Sequence, residues 1–358
     1  MPKTIRSRVL TDEYLAHELG RRQFIAAAGA ALVAGCSSQE VSKGEGAEEE
    51  TFLVGIGGGS SYQKAVENAL SLTIGRDGLS FIQSGDVVYL KVNTNSGDPY
   101  PYSTNPKLIE MVAGWARDHG ASKVIVGDRS FWGDPNTMGN FESNGIAAAA
   151  TNAGAELVVF EDDAVEWLEI SQDDAPDWVG GFRFPVPVVQ ANVIINLPCV
   201  KTHFISTFTM GMKNIIGLVN PVDRAREGNL KWHVTEGNKL YKQIAQLNRH
   251  ITPTFTILDG YKAVVRGGPN IDGDPPGLTR YGRCVIASPD RIAADATGLA
   301  LLKLHAVAGE AVHQTSVWEN PQIAEAVAAG VGIGGSEEYH ASAKEYSRMD
   351  ELSAQLFG

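Results

Sequence analysis

Val87-Val88-Tyr89-Leu90-Lys91-Val92 leads into a polar loop, then a helical stretch opened at Asn105-Pro106 and closed at Gly120, then Lys123-Val124-Ile125-Val126. Continuous Val/Ile/Leu runs of this length are what strands buried on both faces require. Asn at the N-cap with Pro at the first helical position starts a helix, and a glycine past its end stops it. Strand, helix, strand in this order is a parallel pair joined by a right-handed crossover. This stretch therefore decides between an α/β sheet and the alternatives.

The same alternation extends in both directions. Further strands are expected at Phe52–Ile56, Glu156–Phe160, Asn192–Asn196, Thr254–Leu258 and Arg283–Ala287. Helices are expected at Tyr62–Thr73, Pro106–His119, Phe141–Ala153, Lys239–Asn248, Ile292–His305 and Gln322–Ala328. The predicted fold is α/β, with a largely parallel sheet flanked by helices, as one body or two lobes, and a site at the carboxyl ends of the strands. Val165 to Pro187, with its alternation Phe182-Arg183-Phe184, reads as an insertion carrying an antiparallel ribbon. The Gly/Pro/Asp-rich stretch Pro269 to Tyr281 reads as a long loop, the kind that often carries function.

Composition narrows the function classes. The 358 residues are 43% hydrophobic and 20% charged, enough to build a packed core. With 30 Lys+Arg against 42 Asp+Glu the formal charge is −12, which argues against nucleic acid as a partner. The three cysteines, Cys36, Cys199 and Cys284, form no CxxC pair, so neither a zinc finger nor a cysteine-ligated iron–sulfur cluster is expected.

Residues 1–35 read as an address. They carry five basic residues ahead of or within a region that ends in an apolar stretch, Phe24 to Gly35, of 12 residues. At about 1.5 Å per residue that stretch is too short to cross a bilayer core of about 30 Å, but it suits a signal-peptide apolar region. Arg21-Arg22-Gln23-Phe24 resembles a twin-arginine export signal. Leu32-Val33-Ala34-Gly35-Cys36 resembles the lipobox of bacterial lipoproteins, in which the cysteine is acylated. The expectation is an exported protein of the cell envelope or periplasm, held to the membrane only through lipidated Cys36, with the twin-arginine machinery as a partner. Residues 36–50, rich in Ser, Gly and Glu, follow as a flexible tether.

Five predicted strands deliver polar side chains to one rim. Lys91 and Asn93 end the first, Asp128 ends the second, and Asp259 and Ser288 end two others. The densest cluster runs from Asn196 through Lys201-Thr202-His203 to Lys213-Asn214. Lys201 and His203 are two apart and share a face on extended chain. His203 is suited to act as a general base or as a metal ligand. Lys201 and Lys213 are suited to hold a carboxylate or phosphate. His233 is a second ligand, a base, or a surface histidine. Asp295, in a very apolar helix, must face the rim or pair with a cation. Cys199 is a thiolate or a packing residue. The run Gly55-Ile56-Gly57-Gly58-Gly59-Ser60 sits where a phosphate loop would, without its spacing or its Lys-Ser/Thr.

At these residues the chain resembles the family known as domain of unknown function 362. Lys91-Val92-Asn93, Gly127-Asp128, Ile195-Asn196-Leu197-Pro198, Lys201-Thr202-His203, Lys213-Asn214-Ile215-Ile216-Gly217, Asp259-Gly260, Gly268-Pro269 and Ser288-Pro289-Asp290 with Asp295 carry the resemblance, across Phe52 to Gly335. It implies a single α/β domain over 51–335, leaving 336–358 as a helical tail. Many members resemble iron–sulfur proteins through an appended ferredoxin module, which this chain lacks.

Two functional readings follow. In the first, an enzyme of redox or metal-assisted type acts on a small anionic substrate. Its catalytic residues are His203, Lys201 and Lys213, and its substrate-binding residues are Lys91, Asn93, Asp128, Asn214, Asp259 and Asp295. The cofactor is open; a metal ion on His203 and His233 is one form of it. The alternative is a non-catalytic solute-binding lipoprotein for an anionic ligand.

Overall fold

The computed structural model describes residues 52–73, 79–131, 133–161, 163–230 and 235–358. Arg21, Arg22, Cys36 and His233 lie outside the described residues. The strands are β1 (Val54–Gly57), β2 (Val87–Lys91), β3 (Lys123–Asp128), β4 (Glu156–Val159), β5 (Trp167–Ile170), β6 (Phe182–Pro185) and β7 (Val193–Asn196). They continue with β8 (Cys199–His203), β9 (Thr207–Thr209), β10 (Phe255–Arg266), β11 (Leu278–Arg280), β12 (Cys284–Ser288) and β13 (Ala341–Lys344).

Among the described residues eleven of these form one sheet along the path β13-β1-β12-β10-β7-β2-β3-β4, with β8 and β11 attached at β10 and β9 attached to β8. The strands β4, β3, β2, β7 and β10 are mutually parallel, and β12 runs against both β10 and β1. The expected α/β class is the observed one. Burial of both faces is visible residue by residue, because side chains alternate along a strand. On β2, Tyr89 joins one apolar cluster while Val88 and Leu90 join the other. Ile194 is likewise divided from Val193 and Ile195 on β7. The helices Tyr62–Thr73, Pro106–Asp118 and Ile146–Asn152 cover one face, and Lys239–His250, Arg291–His305 and Pro321–Ala328 cover the other.

The glycine run proves to be a packing device. A Cβ on Gly55 would lie 2.1 Å from the Ala69 carbonyl oxygen, and one on Gly57 would lie 2.0 Å from that of Ala65. The helix Tyr62–Thr73 thus lies directly on β1, closer than any side chain would permit.

Three elements differ from expectation. The strand expected to stop at Leu258 continues as β10 to Arg266, because its ladder passes from β7 to β8 on one side and from β12 to β11 on the other. The helix expected over Phe141–Ala153 is two, Thr137–Ser143 and Ile146–Asn152. It breaks at Asn144-Gly145, where Gly145 takes φ 85°. The tail 336–358 is not wholly helical: β13 pairs in parallel with β1, and only Met349–Phe357 forms an α-helix. The second difference in that region is packing, since the sheet does not end at residue 335. The ribbon expected between Val165 and Pro187 is present as β5 against β6, with Glu169 opposite Arg183.

Candidate functional site

Beyond the carboxyl ends of β2, β3 and β8 lies a cavity of about 380 Å³. The loop after β2 contributes Asn93, Thr94 and Asn95, and the end of β3 contributes Asp128 and Arg129. From β8 come Lys201 and His203; the short helices Gly211–Asn214 and Pro221–Ala225 add Lys213, Asn214 and Arg224. Phe131, Phe204, Ile205, Ile216 and Leu230 form apolar walls.

The floor is a buried polar network whose orientation can be read donor by donor. Lys91 Nζ lies 2.7 Å from Asp128 Oδ1 and donates to the Val92 carbonyl at 2.6 Å and to Asn214 Oδ1 at 3.3 Å. An ammonium only donates, so Asn214 must turn its oxygen to Lys91. Asn93 must then offer its amide nitrogen to the same oxygen, which it does at 2.8 Å. Asn214 Nδ2 in turn donates to Asn196 Oδ1 at 2.8 Å, and Asn196 Nδ2 donates to the Gly211 carbonyl at 2.9 Å. This chain of constraints leaves Asn93 Oδ1 buried with no partner among the described residues, and Asn93 itself is one of the cavity-lining residues. Asp128 Oδ2 accepts from the Thr94 amide at 2.9 Å. Burial pushes the Asp128 carboxyl up and the Lys91 ammonium down, and their contact opposes both shifts. Gly217 is obligatory above this pair, since a Cβ there would lie 1.9 Å from Asp128 Oδ1.

The upper wall is cationic and short of partners. Lys201 is fully buried and makes one hydrogen bond, to the Tyr102 carbonyl at 2.6 Å. Lys213 is 8% exposed, and its one hydrogen bond, to Thr209 Oγ1, is long at 3.4 Å. Neither lysine has a carboxylate partner among the described residues. Burial, with Lys201 and Arg224 adding repulsion, lowers Lys213 to about 7. Arg224 donates to the Ser130 carbonyl at 3.0 Å, and its buried Nε is unpaired. Arg129 is anchored through the carbonyls of Ser130, Phe131 and Asp134 and through Glu161 at 3.1 Å; its Nε is also unpaired. Four cationic side chains therefore face one cavity whose single lining carboxylate among the described residues, Asp128, is already engaged.

The model of the family described as "Domain of unknown function (DUF362)" matches residues 88–300. This chain belongs to that DUF362 family. The matched range is narrower than the expected Phe52–Gly335, and it contains every residue of the cavity wall. The thylakoid-associated protein sll1697 of Synechocystis sp. is 29% identical to this DUF362 chain over 230 residues, 60% of the chain and 63% of the relative. The chain thus spans under two thirds of that relative's length. A solved structure, the lactate racemase apoprotein from Thermoanaerobacterium thermosaccharolyticum, superposes with a TM-score of 0.43 at 14% identity. That superposition covers 75% of this chain and 61% of the other.

Of the residues singled out in the sequence, the DUF362 cavity brings together Asn93, Asp128, Lys201, His203, Lys213 and Asn214. Lys91 lies beneath it, facing Asp128 rather than the opening. Asp259 lies elsewhere: inside β10, accepting from the hydroxyls of Tyr62 at 2.6 Å and Tyr100 at 2.9 Å. Burial raises Asp259 to about 6, while these two tyrosines hold it lower than burial alone would. Asp295 neither faces the rim nor pairs with a cation. It accepts from the backbone amides of Gly211 at 2.7 Å and Met212 at 3.0 Å, capping the short helix that carries Lys213 and Asn214. Burial raises Asp295 to about 7 against those two hydrogen bonds. It positions the site from behind.

The surroundings of His203 constrain its tautomer. Its Nδ1 accepts from the amides of Ile205 at 3.1 Å and Ser206 at 3.3 Å, so the neutral ring carries its proton on Nε2. In that tautomer it is a hydrogen-bond donor, and protonating Nδ1 would set one N–H against two others. Among the described residues no group of three His, Cys, Asp or Glu could hold a metal ion. A cavity lined by four cationic side chains is also a poor host for a cation. Cys199 and Cys284 are free and buried, and burial pushes both thiols up to about 12, which is packing behaviour. Arg129 and Arg224 were missed as site residues. Arg129 directly follows Asp128 in sequence and is within reach of the rim argument; Arg224 is carried in by the short helix Pro221–Ala225, whose Asn220-Pro221 start repeats the Asn105-Pro106 signal but does not say where the helix docks.

Proposed function

We propose that this DUF362 chain is an enzyme acting on a small anion, with Lys201, Arg129 and Arg224 receiving the negative charge and Lys213 as the reactive group. One observation carries the reading: four cationic side chains line one cavity, and the lysines among them lack counter-ions among the described residues. A protein interior does not hold uncompensated charge without cost, and a bound anion would repay it. His203 adds an N–H donor, and unpaired Asn93 Oδ1 adds an acceptor for a hydroxyl or water. Lys213, lowered to about 7, can give or take a proton near neutrality.

The proposal extends to location: export through the twin-arginine route and a lipid on Cys36. Mass spectrometry of the mature amino terminus from a membrane fraction tests that part, and an unprocessed Met1 in a soluble fraction would overturn it.

The site is tested by calorimetric titration of the purified chain with phosphate, sulfate and short carboxylates. Lys201→Met and Lys213→Met are each expected to weaken anion binding roughly tenfold to a hundredfold, the usual cost of a lost charge-assisted hydrogen bond. Affinity should also fall as pH rises through about 7, since Lys213 loses its charge there. Binding indifferent to both variants and to pH would sink the reading. Tight binding with no chemistry on any bound compound would instead favour a solute receptor.

A further inference from the structure

We propose that Lys213 condenses with the carbonyl of a 2-oxo acid whose side chain is apolar or aromatic, forming an imine. The proposal rests on the anion-site reading above and deepens it.

The first support is the setting of the amine. Lys213 Nζ is held by one long hydrogen bond, to Thr209 Oγ1, and by no carboxylate among the described residues. A lysine that is to attack carbon must keep its lone pair free, and an ion pair would prevent this. The neighbouring cations keep it so: burial, Lys201 and Arg224 all act to remove its proton. By contrast Lys91, fully buried, is tied to Asp128 and two oxygens and is unavailable.

The second support is the cations themselves. They disfavour the proton on Lys213, and they attract a carboxylate to the amine's side. In a 2-oxo acid the electrophilic carbon is bonded directly to the carboxylate carbon. Seating the carboxylate among Lys201 and Arg224 therefore delivers that carbon to the Lys213 side of the cavity. A simple aldehyde would lack this handle, and a 3-oxo or 4-oxo acid would place its carbonyl further off.

The third support is the unpaired acceptor. Condensation passes through a carbinolamine, whose new hydroxyl needs an acceptor in a site full of donors. That role is assigned to Asn93, a cavity-lining residue whose Oδ1 is buried and unpartnered among the described residues and whose orientation the network from Lys91 through Asn214 fixes. The step balances without an outside oxidant. The Lys213 lone pair forms the C–N bond and the carbonyl oxygen takes a proton. The C–O bond then breaks, and water leaves with the second amine proton as C=N forms.

The side chain of the substrate is read from the mouth. Phe204 is 69% exposed and Phe131 is 40% exposed, yet both line the cavity, with Ile205, Ile216 and Leu230 beside them. Phe204 is also braced, stacked on His203 with ring centroids 5.1 Å apart and planes 7° apart. Two exposed phenylalanines at the mouth of a cationic cavity fit a ligand with an anionic head and an apolar tail.

The test is reductive trapping. The purified chain is incubated separately with phenylpyruvate, pyruvate and 2-oxoglutarate in the presence of cyanoborohydride, and adducts are located by intact mass and peptide mapping. A single adduct on Lys213 is expected, forming fastest with phenylpyruvate and slowest with 2-oxoglutarate, whose second carboxylate would meet the apolar wall. Lys213→Arg should abolish it. Lys201→Met should keep its position while slowing it roughly tenfold at a fixed, subsaturating concentration. Circular dichroism checks that both variants fold. Adducts scattered over surface lysines, or unchanged in Lys213→Arg, would overturn the proposal. So would the absence of any adduct on a chain that binds phosphate or carboxylates in the calorimeter. Failure of both experiments together would remove the anion site itself.

Discussion

Two lysine environments lie close together in this molecule, and their difference is instructive. Lys91 and Lys213 are both buried and both have lowered ammonium pKa values through desolvation. Lys91 finds a carboxylate at 2.7 Å, a carbonyl and an amide oxygen, so its donors are filled and its charge is answered. Lys213 finds one hydroxyl at 3.4 Å and two cationic neighbours. Burial is common to both, so burial does not identify the reactive group. The missing partner does, because an unanswered charge facing a cavity is a demand that a ligand can meet.

The sharpest way to break this contrast is a pH series. Lys213 titrates at about 7 in the folded chain and near 10.5 when exposed. Between those values the unfolded chain holds a proton that the folded chain has released, so stability rises with pH across that window. At about 1.36 kcal/mol per unit, the gain attributable to Lys213 is of the order of 4 kcal/mol. Urea unfolding of the wild-type chain and Lys213→Met, near pH 7 and near pH 10, isolates the term. Parallel curves would show that Lys213 has a hidden partner.

Lys91→Met makes the complementary prediction. Removing one member of a buried ion pair leaves Asp128 charged, buried and unmatched, a loss of about 3–5 kcal/mol in stability. Lys213→Met should cost nothing near neutrality, since it replaces an unpaired buried amine with an apolar chain of similar length. Equal losses in the two variants, read from thermal or urea midpoints, would erase the distinction.

The sheet was legible because its information is local. Val87–Val92, Asn105-Pro106, Gly120 and Lys123–Val126 each specify their own backbone, and the structure reproduces the helix as Pro106–Asp118 with Asn105 as its N-cap. The cluster Lys201, His203, Lys213, Asn214 was legible for the same reason, as it sits on one short segment. What failed depended on partners distant in sequence. Asp259 reads as a rim residue because it directly follows the expected strand Thr254–Leu258. Tyr62 and Tyr100, both far away in the chain, satisfy its carboxylate within β10 instead. Sequence alone offers Asp295 two settings, facing the rim or pairing with a cation. The third answer, the backbone amides that start the helix Gly211–Asn214, required knowing that this helix packs against Arg291–His305. Asn220-Pro221 announces the helix that carries Arg224 but not where it docks, and the Nδ1 acceptor role of His203 depends on a turn at Ile205–Ser206 that its residue type does not reveal.

Asp295 gives a smaller effect that places it with the structural side of the contrast. In Asp295→Asn one oxygen remains for two backbone amides, and the amide nitrogen is set against one of them. A loss of about 1–3 kcal/mol is expected in urea unfolding, the cost of a buried donor left unmade. A variant as stable as the wild type would mean that the short helix holds its place without the cap, and that Lys213 is positioned by something else.

Phe204 closes the series with the smallest expected change in stability. Its side chain is 69% exposed, so Phe204→Ala removes little buried area and should shift stability by no more than about 0.5 kcal/mol, the range of ordinary surface substitutions. If the ring serves as a wall for an apolar tail, the same substitution should slow trapping of phenylpyruvate and leave that of pyruvate nearly unchanged. The ratio between the two is the informative quantity. A general loss of folding lowers both rates together, whereas a lost wall lowers only one. An unchanged ratio would confine the specificity of the cavity to its cations.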